Sequence, residues 1–407
     1  MFRRVAAFGV TGSAIAVLVA MTLSGTASAR VAAAASTVSC KNPVTIGVAY
    51  PETGPAASIG TLQYNWAAQA ATKWNSSHSV KIKLVKGDTQ LGNGTSFAIA
   101  VAHAFASNGA MVAVTGPAGS QEMQDTSTIW HGAGLAPISG SETRVALTRS
   151  VSNPSTGPRE TTPGYFFRTV PNDGQQAATA AAYIHSVLKK TKVEIIDDGE
   201  GYSTGLRDFL KVALKADHVT VTTNHITQTD TNFSTVIASI PAGTQLIYIP
   251  WQLSSQAENF YTQLHAAGKG SITVFGSDGT DDPSTFKGAG SYVTAFPYDP
   301  SNPVVKAFAN HHGGNAETFG LPSYTATWVN ATAIQAECAA HGNKITRAEV
   351  RSKIAKVQLS SAQGLLGFPI QFLAKNAGLF QGPGDLGGKA AYYIYKIQSN
   401  GSYKRVQ

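Results

Sequence analysis

The chain has 407 residues, of which 43% are apolar and 13% charged, and it carries a formal net charge of +8. A chain this long can bury a core without a dense set of disulfides or a structural metal. Charge at about half the usual soluble level of ~25% excludes coiled coils and highly charged disordered tails.

At the N-terminus, Arg3 and Arg4 precede an apolar stretch over residues 5–23, and Ala27-Ser28-Ala29 supplies an A-x-A cleavage site. This is the layout of a secretory signal peptide over residues 1–29, and it predicts a soluble, extracytoplasmic mature chain. The remaining positive charge is not concentrated. Lys81, Lys83 and Lys86 alternate with apolar residues like one face of a strand, with no aromatic stacking motif beside them, so no nucleic-acid partner is expected. The two cysteines, Cys40 and Cys338, form no CxxC pair and are too few for a disulfide framework. Cys40 admits two readings. A lipid anchor would need it directly behind the apolar core, yet it follows Thr37-Val38-Ser39, well past Leu23. A disulfide with Cys338 suits an oxidising compartment better.

From residue 44 the pattern alternates. Residues 44–50 are a β-branched run that stops at Pro51, followed by the loop Thr53-Gly54-Pro55. Leu62, Trp66, Ala70 and Trp74 fall four apart on one helical face. Residues 81–85 are a second strand, and Phe97, Val101 and Phe105 mark a second helix. A third strand, 111–115, stops at Gly116; 121–130 is helical and 135–139 a strand. Such βαβα alternation predicts a parallel sheet with helices on both faces. Residues 148–164 hold three prolines and two glycines and read as a surface loop. Alternation then resumes. Helices are expected over 177–188, 206–214 and 260–267, and strands over 193–196, 219–222, 246–249, 272–275 and 292–296. A long helix covers 324–340, and a last strand, 391–397, leads into Asn400-Gly401, a hairpin turn signal. Two α/β blocks of similar size result, with a tail too short to be a third.

Catalytic signatures are absent. The sequence has no GxSxG elbow, no HExxH and no P-loop lysine. Gly116-Pro117-Ala118-Gly119-Ser120 lacks the glycine that would follow a nucleophile, so no enzyme is expected. His311 and His312 are adjacent and cannot share a helical face, so neither a metal nor a cofactor is expected. Asp281-Asp282, ahead of Pro283, suits a turn or a helix cap. Small polar loops instead follow the strands: Thr53-Gly54, then Ser120, then Ser141 to Thr143. In the second block the strand ends carry Asp197-Asp198 with Gly201-Tyr202, Trp251-Gln252, and Gly276 to Gly279 with Asp278. Ligands of open α/β sheets bind at the carboxyl ends of the strands. Hydroxyls and helix-start N–H groups suit a carboxylate or another anion, while aromatic rings with one acid suit an apolar body and a cationic or hydroxylated group.

On these residues the chain resembles type I periplasmic solute-binding proteins, and more narrowly the branched-chain amino-acid-binding (leucine/isoleucine/valine) receptors of ABC importers. The likeness is carried by Ile46-Gly47 to Thr53-Gly54-Pro55, Gly116 to Ser120, Ile138 to Thr143, Phe167-Arg168-Thr169 with Pro171-Asn172-Asp173, Asp198 to Gly205, Phe275 to Gly279, and Tyr324. The resemblance implies two Rossmann-like lobes with parallel central sheets and a three-segment hinge. The N-terminal lobe would take 44–167 and 298–365, and the C-terminal lobe 168–297 and 366–407. It puts Cys40 and Cys338 in one lobe, which makes their disulfide possible. It further implies a small-molecule ligand, a membrane ABC permease as partner, and a monomer. Ser120 and Thr143 would hold an α-carboxylate, Asp278 the ammonium, and Tyr202 and Trp251 an aromatic wall, with Thr53, Ser141 and Tyr324 close by. Two departures bear on the ligand. Glu142 adjoins Thr143, and Asp278 is one methylene shorter than the Glu common in such receptors. A ligand sensor on the same fold is the alternative; a secreted hydrolase using Ser120 is the third reading.

Overall fold

The computed structural model describes residues 37–152, 157–312, 317–378, 380–388 and 391–407. The signal-peptide reading of residues 1–29 lies outside them. Val44–Tyr50 (β1), Ile82–Asp88 (β2), Met111–Thr115 (β3), Pro137–Ser139 (β4) and Phe167–Arg168 (β5) form one sheet in the order β2-β1-β3-β4-β5, parallel throughout. β1 is buried along its whole length, as a central parallel strand covered on both faces must be. That is why residues 44–50 hold no charged side chain. β2, at the edge, keeps Lys83 and Lys86 exposed, a usual protection of a free strand edge.

The second sheet repeats this order. Lys192–Asp197 (β6), Thr220–His225 (β7), Leu246–Ile249 (β8), Thr273–Gly276 (β9) and Tyr292–Ala295 (β10) run β7-β6-β8-β9-β10, all parallel. Tyr393–Ile397 (β11) and Tyr403–Arg405 (β12) extend it beyond β10 as an antiparallel hairpin. Its turn holds Asn400 and Gly401, the latter at φ 77, as the sequence signal predicts. In each sheet the strand order reverses beside the block's first strand, between β1 and β3 and between β6 and β8. Loops leaving those carboxyl ends frame a crevice.

The helices that matter are Ala57–Ser77 (α1), Ser96–Ser107 (α2), Ser120–Ala133 (α3), Asp173–Ala182 (α4), Gly201–Ala216 (α5), Ser254–Ala266 (α6) and Glu317–Ala340 (α7). α2 buries Ala98, Ala102 and Phe105, while Phe97 is 40% exposed and not part of its inner face. α7 begins well before Tyr324 and contains Pro322. It crosses α1 closely. Trp66 meets Tyr324 edge-on at 6.0 Å between ring centres, and Trp74 meets Trp328 at 5.1 Å. A Cβ on Gly320 would sit 1.8 Å from the Trp66 ring, so this crossing admits only glycine there.

Three crossovers join the lobes, and each contributes one side chain to a shared apolar cluster: Val170, Phe296 and Tyr392. The Tyr392 hydroxyl also donates to the Pro171 carbonyl at 2.9 Å. The tail differs from the expected division. Leu366, Ile370, Phe372 and Leu386 pack in the core of the first lobe. Between them Phe380 packs on Phe209 of α5 in the second lobe, so this part of the tail touches both lobes.

Cys40 and Cys338 form a disulfide with Cα atoms 6.0 Å apart, well within the range such bonds need. The Cys40 sulfur is thus committed to Cys338, which overturns the lipid-anchor reading. The bond ties the chain's entry segment to the end of α7 across 298 residues of sequence. Closing so long a loop restricts the unfolded chain strongly, so Cys338→Ser should cost about 2–5 kcal/mol of stability. Urea midpoints of oxidised wild type, reduced wild type and the variant check this. The last two should fall together below the first.

Candidate functional site

α3 starts at Ser120, immediately behind β3 and the loop 116–119. Glu122 reaches back to accept from the Gly119 N–H at 3.0 Å, which closes the helix's first turn. First-turn N–H groups have no partner inside a helix and carry the positive end of its dipole. Here they sit beside the Ser120 hydroxyl, whose Oγ accepts from the Arg144 N–H at 3.3 Å and keeps its own proton to donate. From the opposite lobe, the loop after β9 brings Asp278. Its Oδ1 accepts from the Tyr202 hydroxyl at 2.6 Å and from Gln176 Nε2, and that same amide is fixed by Thr294 Oγ1 at 2.7 Å.

Between them lies a narrow cavity, partly open to solvent, with about 300 Å³ of space between atoms. The first lobe lines it with Ile59, Leu91, Ala118, Ser120, Ser141 and Phe319; the second with Tyr202, Gln252, Asp278 and Gly279. The two lobes approach each other here, and the cleft between them has apolar walls with a hydroxyl on one side and a carboxylate on the other.

Four of the nine expected ligand residues line this cavity: Ser120, Ser141, Tyr202 and Asp278. Ser141 is already engaged, accepting from Gln63 Nε2 and donating to the Ala118 carbonyl, both at 2.8 Å. Thr143 is buried just behind the wall. Its hydroxyl adjoins the Asp173 carboxyl, and neither forms a hydrogen bond of good geometry. The other four are placed elsewhere. Thr53 donates to Asp88 at 2.5 Å in an exposed loop. Trp251 points into the second lobe's core, donating to the Ile196 carbonyl at 2.6 Å among Phe233 and Phe260. Its neighbour Gln252 takes the place at the wall. Tyr324 stacks on Trp328 inside the first lobe. Glu142 is fully buried with both carboxyl oxygens unpartnered, and its charged neighbours are Glu122 and Arg168. It faces the lobe interior, so it does not oppose a carboxylate in the cavity.

Burial sets the electrostatics. It pushes Asp278 up to about 6, against the Tyr202 and Gln176 hydrogen bonds that favour the anion. Burial likewise raises Asp173 to about 7, with the Asp278 charge adding to it and the Thr143 hydroxyl opposing. It raises Glu122 to about 7 and Glu142 well above the carboxylate range, where Glu122 adds and Arg168 opposes. Asp198 rises to about 6 and Glu194 to about 7 for the same reason. Such groups hold protons in the folded state that an unfolded carboxyl, at about 4, has lost. Their contribution is therefore fullest near pH 4 and is lost as pH rises through about 6 to 7. Melting scans of the ligand-free protein should give a higher Tm at pH 5.5 than at pH 8. A Tm that rises across that interval would contradict this electrostatic picture.

Gln176, Ile59, Leu91 and Phe319 were not expected at the site. Among them only Gln176 had a local signal, since it falls four residues after the Asn172 cap of α4 and three after Asp173.

A family model described as periplasmic binding protein matches residues 43–402. The chain belongs to the periplasmic binding protein family. An amino acid binding protein of Pseudomonas aeruginosa is 31% identical over 61% of this chain and 65% of its own length. A leucine-specific-binding protein of Salmonella typhimurium is 28% identical over 52% of the chain and 54% of its own length. The chain thus spans between half and two thirds of these curated relatives. A leucine-binding protein of Thermotoga maritima shares the fold, with a TM-score of 0.74 at 19% identity, covering 89% of this chain and 98% of that one. As a periplasmic binding protein the chain works outside the cytoplasm. Among its described residues, no helix is long and apolar enough to cross a membrane.

Proposed function

We propose that this periplasmic binding protein captures a small α-amino acid between its lobes and delivers it to an ABC importer in the membrane. One observation carries the reading. Ser120 at a helix start and Asp278 from the other lobe line one narrow cleft, whose remaining first-lobe lining includes Ile59, Leu91 and Phe319. An α-carboxylate suits the first end, an ammonium the second, and an aliphatic side chain the apolar lining. The names of the relatives favour leucine and its neighbours. In this reading residues 1–29 are a cleaved signal peptide, the protein acts as a monomer, and binding works by lobe closure around the ligand.

A ligand that binds only the native state raises stability by about 2.7 kcal/mol at a hundredfold excess over Kd. Melting scans against a panel of amino acids should show a Tm that climbs with the logarithm of concentration for aliphatic members. A panel that leaves Tm unmoved at millimolar concentration would sink the proposal.

A further inference from the structure

A polar contact outside the cavity also bridges the lobes. Arg144 follows β4 in the first lobe, where its Nε and Nη2 hold Glu160 at 2.9 and 2.8 Å. Its Nη1 reaches the second lobe and donates to the carbonyl of Gly201, the first residue of α5. Arg144 and Glu160 are only 16% and 12% exposed, so the guanidinium is shielded from competing water.

The face of α5 that meets this contact carries no side chain. A Cβ on Gly205 would lie 3.0 Å from Arg144 Nη1, and one on Gly201 would lie 2.6 Å from Gln121 Oε1 of α3. The two glycines are one helical turn apart and share that face. Both ends of the contact also adjoin the cavity. The Arg144 N–H donates to Ser120 Oγ, and Gly201 directly precedes Tyr202, whose hydroxyl holds Asp278.

We propose that Arg144 is an interlobe latch, seated against the Gly201/Gly205 face of α5, that sets how much of the protein is closed and how slowly ligand leaves. The inference rests on the reading of the cavity as a ligand cleft that opens about the three crossovers. Opening separates Arg144 from Gly201, because they belong to different lobes, while Arg144 keeps Glu160. The latch thus favours closure without touching ligand, and its backbone end supports Ser120 in the conformation that ligand meets.

The test uses dyes on Lys73→Cys and Lys215→Cys, exposed positions on helices that start at the cleft and run away from it. Single-molecule transfer efficiencies then give the closed fraction of ligand-free protein. Arg144→Ala should reduce it at least twofold. Gly205→Ala should lower it in the same direction but by less, while keeping the arginine, because its methyl forces Arg144 Nη1 to give by a few tenths of an ångström. Circular dichroism establishes that both variants are folded. With L-leucine as probe, Arg144→Ala should release it at least fivefold faster than wild type, and Gly205→Ala at an intermediate rate. Closed fractions equal in all three proteins would overturn the latch. A wild type that ignores L-leucine would count against the proposed ligand class, and the ligand-free comparison would still decide the latch.

Discussion

Asp278→Asn should weaken L-leucine binding by about 100-fold or more while leaving the fold intact. Losing one partner of a buried charge pair costs about 2–5 kcal/mol, most of it from stranding the other charge. Asparagine keeps the shape and one carbonyl oxygen, so the Tyr202 hydroxyl and the Gln176 amide retain an acceptor. What disappears is the negative charge that faces the ligand's ammonium. Two controls make the result specific. The des-amino analogue 4-methylpentanoate has no ammonium to lose, so the substitution should not weaken its binding. Wild-type affinity for L-leucine should fall as pH drops through about 6, because burial holds Asp278 there and protonation removes its charge. The variant should show no such fall. Calorimetric titrations at pH 5, 6 and 7 would check all three. An Asp278→Asn protein with wild-type affinity at pH 7 would place the ammonium elsewhere.

Arg168→Met should be the most destabilising substitution at the hinge, at about 3–5 kcal/mol, read as a fall in the urea midpoint. Arg168 is fully buried at the end of β5, where the chain leaves the first lobe. Its Nε donates to Asp385 Oδ1 at 2.6 Å, Nη1 to the Glu142 carbonyl at 3.0 Å, and Nη2 to Thr148 Oγ1 at 2.7 Å. One side chain therefore ties the first crossover, the loop after β4 and the returning tail together. Asp385 has further donors in Thr148, Asn172 and the Gly382 N–H, but without Arg168 its buried charge loses its direct ion-pair partner and keeps only the more distant Arg159. The double variant Arg168→Met with Asp385→Leu should accordingly be more stable than the sum of the two single losses implies. Strict additivity would show that the two residues act independently, contrary to the geometry.

Much of this architecture was legible because the physics behind it is local. Residues 44–50 are a β-branched run with no charge and residues 246–249 an unbroken apolar one, as strands buried on both faces require. The small polar residues behind successive strands pointed to the crevice, and Ser120, Ser141, Tyr202 and Asp278 do line it. The misplacements share another cause. Trp251 and Gln252 are adjacent at one strand end, and which of them faces the cavity depends on a loop direction that no periodicity encodes. The indole goes inward because its N–H finds the Ile196 carbonyl and its ring finds Phe233 and Phe260. Tyr324 looked like a helix start because Pro322 lies just before it. Packing of α7 on α1 carries the helix through that proline. Thr53 had the right loop position, but Asp88 on the neighbouring strand claims its hydroxyl. The resemblance assigned residues 366–407 to the second lobe, whereas Ile370 and Phe372 are drawn into the first lobe by its core. Each of these outcomes is set by partners distant in sequence.

The central claim is that the cavity recognises an α-amino acid by both of its charged groups at once. Isothermal titration of the ligand-free protein with L-leucine, 4-methylpentanoate and 3-methylbutylamine tests it most directly. The account predicts one-to-one binding of L-leucine, with each analogue, lacking one charged group, bound at least about 100-fold more weakly. Binding of 4-methylpentanoate as tightly as L-leucine, or binding of none of the three, would contradict it.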